Sequence, residues 1–217
     1  ELTLSRRRFE QELERKESEL AALEQQLRRN NEEQHAQSTR ATLALALLPL
    51  GERQYRAQDF KGACDTYERA LKLDSNNPVI YYRLGYVCVQ SGQLDDAVRY
   101  LTRALEIDSE FPLAMAALGY AYRRQAEKME AGLERERLMN MAERCMLDGL
   151  ALSPKLVDDD GESWWGSLGG LYRRRGLNEQ AIRAYQQAAE VTPHSSYPFS
   201  NLAMLYMGEQ DRDGMLR

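Results

Sequence analysis

The sequence is short of the residues that carry chemistry. Only two histidines, His35 and His194, occur among 217 residues. Neither has a cysteine or carboxylate at a spacing that suits a metal site or an acid–base pair. No glycine-rich phosphate loop follows a strand, and no stretch reads as a strand. Cys64, Cys88 and Cys145 are odd in number, lack metal-ligand spacing and fall at or beside apolar positions. They read as free buried thiols in a reducing, cytoplasmic compartment. Long apolar runs are missing too. The longest, Ala41 to Leu50, is interrupted by Thr42 and Pro49 and is too short to cross a bilayer. Charge of one sign is also lacking, because 29% of residues are charged but the net is only −5. No basic field argues for nucleic acid. These absences argue against an enzyme, a metal or cofactor site, a nucleic-acid partner and membrane insertion.

Repetition is what the chain has in quantity. From Pro78 to Phe111 the sequence reads PVIYYRLGYVCVQSGQLDDAVRYLTRALEIDSEF, and its pattern returns on both sides. Tyr81, Leu84, Gly85 and Cys88 have the spacing of one buried helix stripe. After the turn signal Ser91-Gly92, Ala97, Leu101 and Ala104 give a second stripe. Such a helix hairpin cannot bury both faces alone and must stack on copies of itself. An earlier copy supplies Leu47, Leu50, Gly51, Ala63, Tyr67 and Ala70. A following one supplies Met115, Leu118, Gly119 and Tyr122. A fourth has Trp165, Leu168, Gly169, Tyr172, Gly176, Ala181, Tyr185, Ala188 and Pro193; a fifth begins with Phe199, Leu202, Ala203 and Tyr206.

This succession of an aromatic, Leu-Gly, Tyr, a small residue, an aromatic, a small residue and a closing Pro resembles the tetratricopeptide repeat family. The resemblance implies an all-α fold: a right-handed superhelical solenoid of helix-turn-helix repeats, here preceded by a long helix. The glycines and alanines at the repeat positions allow close helix approach, and the larger residues fill the remaining volume. Residues 1–39 are expected as a helical arm, 40–77 as the first repeat, 78–111 as the second and 112–156 as the third. An acidic linker, 157–161, precedes the fourth repeat, 162–195, and a truncated fifth, 196–217. The third repeat is about eleven residues too long. The extra residues, from Ala126 to Leu138, are expected to lengthen its helices into a protruding hairpin, as a tolerated insertion or a binding feature.

Phe9, Leu13, Leu20, Leu23 and Leu27 give the arm a short heptad seam, broken by Lys16 and Asn30. Glu10, Glu12, Glu17, Glu19 and Glu24 flank that seam, so like charges would meet in a homodimer. A tight parallel homodimer is therefore not expected at neutral pH, and acidification should favour self-association. Docking of the arm on its own solenoid or on a basic partner helix ranks first, ahead of a weak oligomer and a solvated helix. Asn30-Asn31 before Glu32-Glu33 reads as one helix ending and another starting, and Pro49 as a kink or a late helix start.

The linker Val157-Asp158-Asp159-Asp160-Gly161 lacks the spacing of a calcium loop and reads as an N-terminal cap for the helix at Trp164. Gly166 and Gly170 have no repeat-packing reason and are placed to open a recess on the inner face. In proteins of the family the first helix of each pair lines a concave groove that holds a peptide. Carried over, that register puts Tyr55, Arg56, Tyr82, Tyr86, Tyr120, Arg123, Arg124, Arg173 and Arg174 on the groove, with Gly166 and Gly170 in its recess. Aromatics and Arg suit interfaces, and Arg pairs carboxylates in a bidentate way. The same Arg residues would also suit helix C-termini. Chaperone-tail binding of the carboxylate-clamp kind is doubtful, because Leu48 and Glu52 stand where the clamp has Lys and Asn.

The reading is a non-enzymatic scaffold that holds a protein segment, acidic or C-terminal, in its groove. Two rivals remain open: a regulatory region of a larger enzyme, and a self-assembling subunit. The chain begins without Met and stops within the fifth copy, which reads as a piece of a longer protein. On that reading Met204, Leu205, Tyr206 and Met207 face a missing partner helix.

Overall fold

The computed structural model describes the backbone of residues 2–215 and the side chains of 15–16 and 18–208. Nine helices account for nearly all of the described chain, with no β-strand longer than one isolated bridge. They are α1 (Leu2–Arg56), α2 (Phe60–Leu73), α3 (Pro78–Ser91), α4 (Leu94–Ile107), α5 (Pro112–Glu127), α6 (Leu133–Leu152), α7 (Trp164–Arg174), α8 (Asn178–Val191) and α9 (Ser196–Met215). Each helix packs on the next, and α3, α5 and α7 also touch one another across the pairs. The result is the stacked series of helix hairpins that the repeat spacing predicts.

Residue size sets the closeness of each pair. A Cβ added at Gly85 would lie 2.5 Å from Leu101 Cγ, one at Gly119 2.6 Å from the Ala142 carbonyl oxygen, and one at Gly169 2.9 Å from the Tyr185 ring. Gly51 has the same relation to the Tyr67 ring. Ala63, Ala97, Ala104, Ala142 and Ala181 complete these contacts with no exposed surface. Between the helices of a pair, Gly92 (φ 83°) and Gly176 (φ 73°) take the left-handed turn conformation. Gln58, at φ 60°, holds the same place in the first pair, closed by the Asp59 amide donating to the Gln54 carbonyl at 2.9 Å.

Several expectations are corrected. α1 runs unbroken through Asn30-Asn31 and through Pro49. Asn disfavours a helix by only a few tenths of a kcal/mol, and the neighbouring Glu and Gln residues favour it. Pro49 lies on the exposed side of α1, beside half-exposed Leu45, where the carbonyl freed by the missing N–H can meet water. The arm therefore continues the first repeat as one unbroken helix and does not fold back on the solenoid. Leu20, Leu23 and Leu27 remain about 60% exposed, while the seam residues Phe9 and Leu13 lie outside the described side chains. α9 likewise continues past Gly208 without a second helix, leaving Phe199, Met204 and Met207 exposed while Leu205 is buried.

The long third pair carries most of its extra length at the start of α6, and it is braced on both sides. Gln125 Nε2 donates to Asp95 at 2.8 Å and Lys128 Nζ to the Gly92 carbonyl at 3.3 Å. On the other side Arg175 binds Glu136, Asn140 at 2.9 Å and Glu143 at 2.6 Å. Only its tip is free, with Leu133 93% exposed. Because the Ala142 carbonyl and the Met146 amide are backbone atoms that cannot rotate away, Gly119→Ala should destabilise the fold by about 1–3 kcal/mol. Urea unfolding of the two proteins measures the difference.

Candidate functional site

The first helices of the pairs, α1, α3, α5 and α7, bring a row of aromatic rings together. Tyr55 lies 5.8 Å from Tyr86, which lies 6.0 Å from Tyr82 and 6.3 Å from Trp164, and Trp164 lies 6.1 Å from Tyr120. Tyr82 and Tyr86 stand four apart on α3, so helix geometry puts both rings on one face.

One end of this row is covered by the chain's own acidic turn. Residues 157–163 form a tight hairpin in which Val157 and Ser163 pair as an isolated bridge. The Asp158 amide donates to the Glu162 carbonyl at 2.8 Å, and the Trp164 amide to the Leu156 carbonyl at 3.1 Å. Asp158 Oδ1 accepts from the amides of Asp160 at 3.0 Å and Glu162 at 2.9 Å. Gly161, at φ 82°, lets the chain reverse. The tip then reaches across to the first two pairs. Tyr55 donates to Asp160 at 3.0 Å, Tyr86 to Asp160 at 3.4 Å, and Tyr82 to Asp159 at 3.1 Å. Arg83 forms an ion pair with Asp159.

Burial controls the electrostatics here. It pushes the Asp158 carboxyl up to about 6, against the two amides that favour the charged form. Burial also holds Asp159 above the ordinary carboxylate range, outweighing Arg83. The phenols of Tyr55, Tyr82 and Tyr86 are raised by burial first and by the facing carboxylates second. They stay protonated and remain hydrogen-bond donors.

The other end of the row is cationic. Arg123 is 6% exposed, stacks 4.7 Å over Tyr120 and donates to Glu127 at 2.8 Å. Its Nε is buried with no hydrogen-bond partner among the described residues. Arg174 Nε lies 2.7 Å from the same Glu127, and Arg124 Nε 4.0 Å from it. Three guanidinium groups thus share one carboxylate. Arg173, half-buried on the last turn of α7, adds a fourth cation on this helix end.

Two stretches of the sequence, residues 54–119 and 164–195, match the family described as Tetratricopeptide repeat. The chain carries tetratricopeptide repeats. It is 23% identical to the TPR repeat-containing protein MJ1428 of Methanocaldococcus jannaschii over 161 residues, 71% of this chain. It spans about a quarter (26%) of that relative's length. Among solved structures, the thermophilic tetratricopeptide-repeat protein TTC0263 of Thermus thermophilus superposes with a TM-score of 0.68 at 20% identity, over 76% of this chain and 82% of that one. YrrB, a tetratricopeptide-repeat protein with an unusual peptide-binding site, gives a TM-score of 0.52 at 22% identity, covering 72% and 73%. No helix among the described residues is long and apolar enough to cross a membrane.

Within the repeats, the residues expected on the groove divide into three groups. Tyr55, Tyr82 and Tyr86 do line one face, but they are covered by the acidic turn and at most 8% exposed. Tyr120, Arg123, Arg124 and Arg174 gather at the cationic end. Arg56 joins neither group, because it is held by Glu52 at 2.6 Å on the exposed side of α1. The recess expected at Gly166 and Gly170 is filled by Tyr197 of α9, whose ring would lie 3.1 Å from a Cβ at Gly166. The helix at Trp164 is capped by Ser163, whose Oγ accepts from the Trp165 amide at 3.3 Å, and not by the aspartates. Arg83, Glu127, Asp159 and Asp160 make contacts on this face and were not among the residues expected there. The available signal was three adjacent carboxylates with no basic residue from Val157 to Ser163 to neutralise them.

The raised Asp158 gives a pH dependence with a definite sign. Its folded pKa of about 6 lies above the unfolded value of roughly 3.9. Its contribution is therefore most favourable below pH 4 and is lost as pH rises through 6. Asp158→Asn keeps the oxygen that accepts the two amides and removes the buried charge. It should raise stability at pH 7 by up to about 2–3 kcal/mol and leave it unchanged near pH 4, as measured by denaturant unfolding at both pH values.

Proposed function

We propose that this chain is a non-enzymatic scaffold that binds an acidic or C-terminal segment of a partner protein along the inner face of its repeats. The observation that carries the reading is the sharing of Glu127 by Arg123, Arg124 and Arg174. A single carboxylate leaves the cationic end undercompensated, and an Arg pair is geometrically suited to a further carboxylate. The aromatic row beside it offers rigid area for the flanking residues. YrrB, with its peptide-binding site, supports a groove role for this fold. The three free thiols fit a reducing, cytoplasmic setting.

The four arginines are not equivalent. Arg123 is an interior residue whose replacement would remove a buried contact to both Glu127 and Tyr120, so it is unsuited to a binding test. Arg174 is exposed but held 2.7 Å from Glu127, so the partly exposed Arg124 and Arg173 are the pair to change. A fluorescent decaglutamate peptide should bind the native chain and weaken as salt is added. The Arg124→Glu/Arg173→Glu variant should lose about tenfold or more in affinity, since each change replaces attraction by repulsion. Equal affinity in the two proteins, with matching circular dichroism, would remove the cationic end from the site.

A further inference from the structure

The acidic turn is seated on the groove in a way that separates its own folding from its docking. Every backbone bond that shapes the hairpin is internal to it or to its immediate neighbours: Asp158 to Glu162, Trp164 to Leu156, and the Asp158 side chain to the amides of Asp160 and Glu162. Among the described residues the hydrogen bonds and the ion pair that cross to α1 and α3 end on the side chains of Asp159 and Asp160, with the Asp158 carboxyl near Tyr86. The hairpin can leave the groove with its internal bonds intact, giving up three phenol hydrogen bonds and one ion pair. Asp160 at the tip is already exposed.

The seat is also imperfectly matched. Asp158, Asp159 and Asp160 bring three carboxylates to one guanidinium, that of Arg83. The phenols of Tyr55, Tyr82 and Tyr86 donate hydrogen bonds but no charge. A carboxylate pair held this way carries a desolvation penalty that a single cation offsets only in part. Without the tip, three buried-side donors and Arg83 would face open groove, and a carboxylate from outside could satisfy the same four groups.

We propose that the tip Asp159-Asp160 is an internal occupant of a second carboxylate site, formed by Tyr55, Tyr82, Arg83 and Tyr86, and that an acidic partner segment displaces it. This rests on the groove reading above and adds its regulation: the partner engages the cationic end first and completes its seat by lifting the turn. A tethered occupant competes at an effective concentration in the millimolar range. The apparent affinity of an outside segment for this half of the groove is reduced by the fraction of molecules whose turn is lifted.

The test uses a labelled peptide with the turn's own sequence, Lys155 to Trp164, titrated onto five forms of the full chain, Arg124→Glu/Arg173→Glu among them. Asp159→Asn/Asp160→Asn, which vacates the seat, should bind it at least about tenfold more tightly than the native chain. Adding Arg83→Met to that variant should abolish the gain, and Asp159→Asn alone should give an intermediate value. Circular dichroism and melting identify any variant that fails to fold, and the single substitution is the milder alternative if the double one does. Equal binding by the native chain and Asp159→Asn/Asp160→Asn, lost with Arg124→Glu/Arg173→Glu, would overturn the displacement and leave the groove reading standing. A gain that survives Arg83→Met would overturn the assignment of the second site. No binding by any form would overturn both.

Discussion

Four glycines, Gly51, Gly85, Gly119 and Gly169, bring the two helices of each pair closer than any Cβ would allow. In three of the pairs the large residue that covers the glycine lies sixteen positions later: Tyr67, Leu101 and Tyr185. In the long third pair the covering residue is Met146, because the additional residues are inserted between the two contact points. The close contact is kept and the surplus is pushed outward into the start of α6. Tight pairs leave the first helices side by side, and that adjacency lines up Tyr55, Tyr82, Tyr86, Trp164 and Tyr120. Packing at one face of each helix thus determines what the other face can present.

The exposed chemistry of the inner face follows from an imbalance of charge at its two ends. At the α5–α7 end several guanidinium groups depend on one glutamate. At the α1–α3 end several carboxylates depend on one arginine. Neither end is neutral by itself, and the aromatic row lies between them. Charges in such a place gain from pairing but carry a desolvation penalty. On the proposed reading, that arrangement favours exchange of partners over a permanent internal lock.

The repeat architecture was legible because close helix packing is written as residue size at a fixed interval. Leu-Gly at 84–85 and 168–169, with alanines in the next helix, needs no long-range information to be recognised. The continuity of α1 was not legible. Asn30-Asn31 departs from helix preference by a few tenths of a kcal/mol, too little to end a helix that good formers continue on both sides. The role of Asp159 and Asp160 was hidden for a different reason. Their partners Tyr55, Tyr82, Arg83 and Tyr86 lie 74 to 105 residues away in sequence, and local patterns favour a helix cap over a cross-groove contact. Gly166 and Gly170 were placed on the inner face, but the ring that covers them, Tyr197, belongs to the next repeat.

The central claim is that the acidic turn is held on the groove by Arg83 and Asp159 in solution. A double-mutant cycle measures this directly, by urea unfolding of the native chain, Arg83→Met, Asp159→Asn and the combined variant. The account predicts a coupling energy of about 1–3 kcal/mol, the range for a hydrogen-bonded charge pair away from bulk water. Additivity within about 0.5 kcal/mol would mean that the two residues do not meet, and that the groove is open along its whole length.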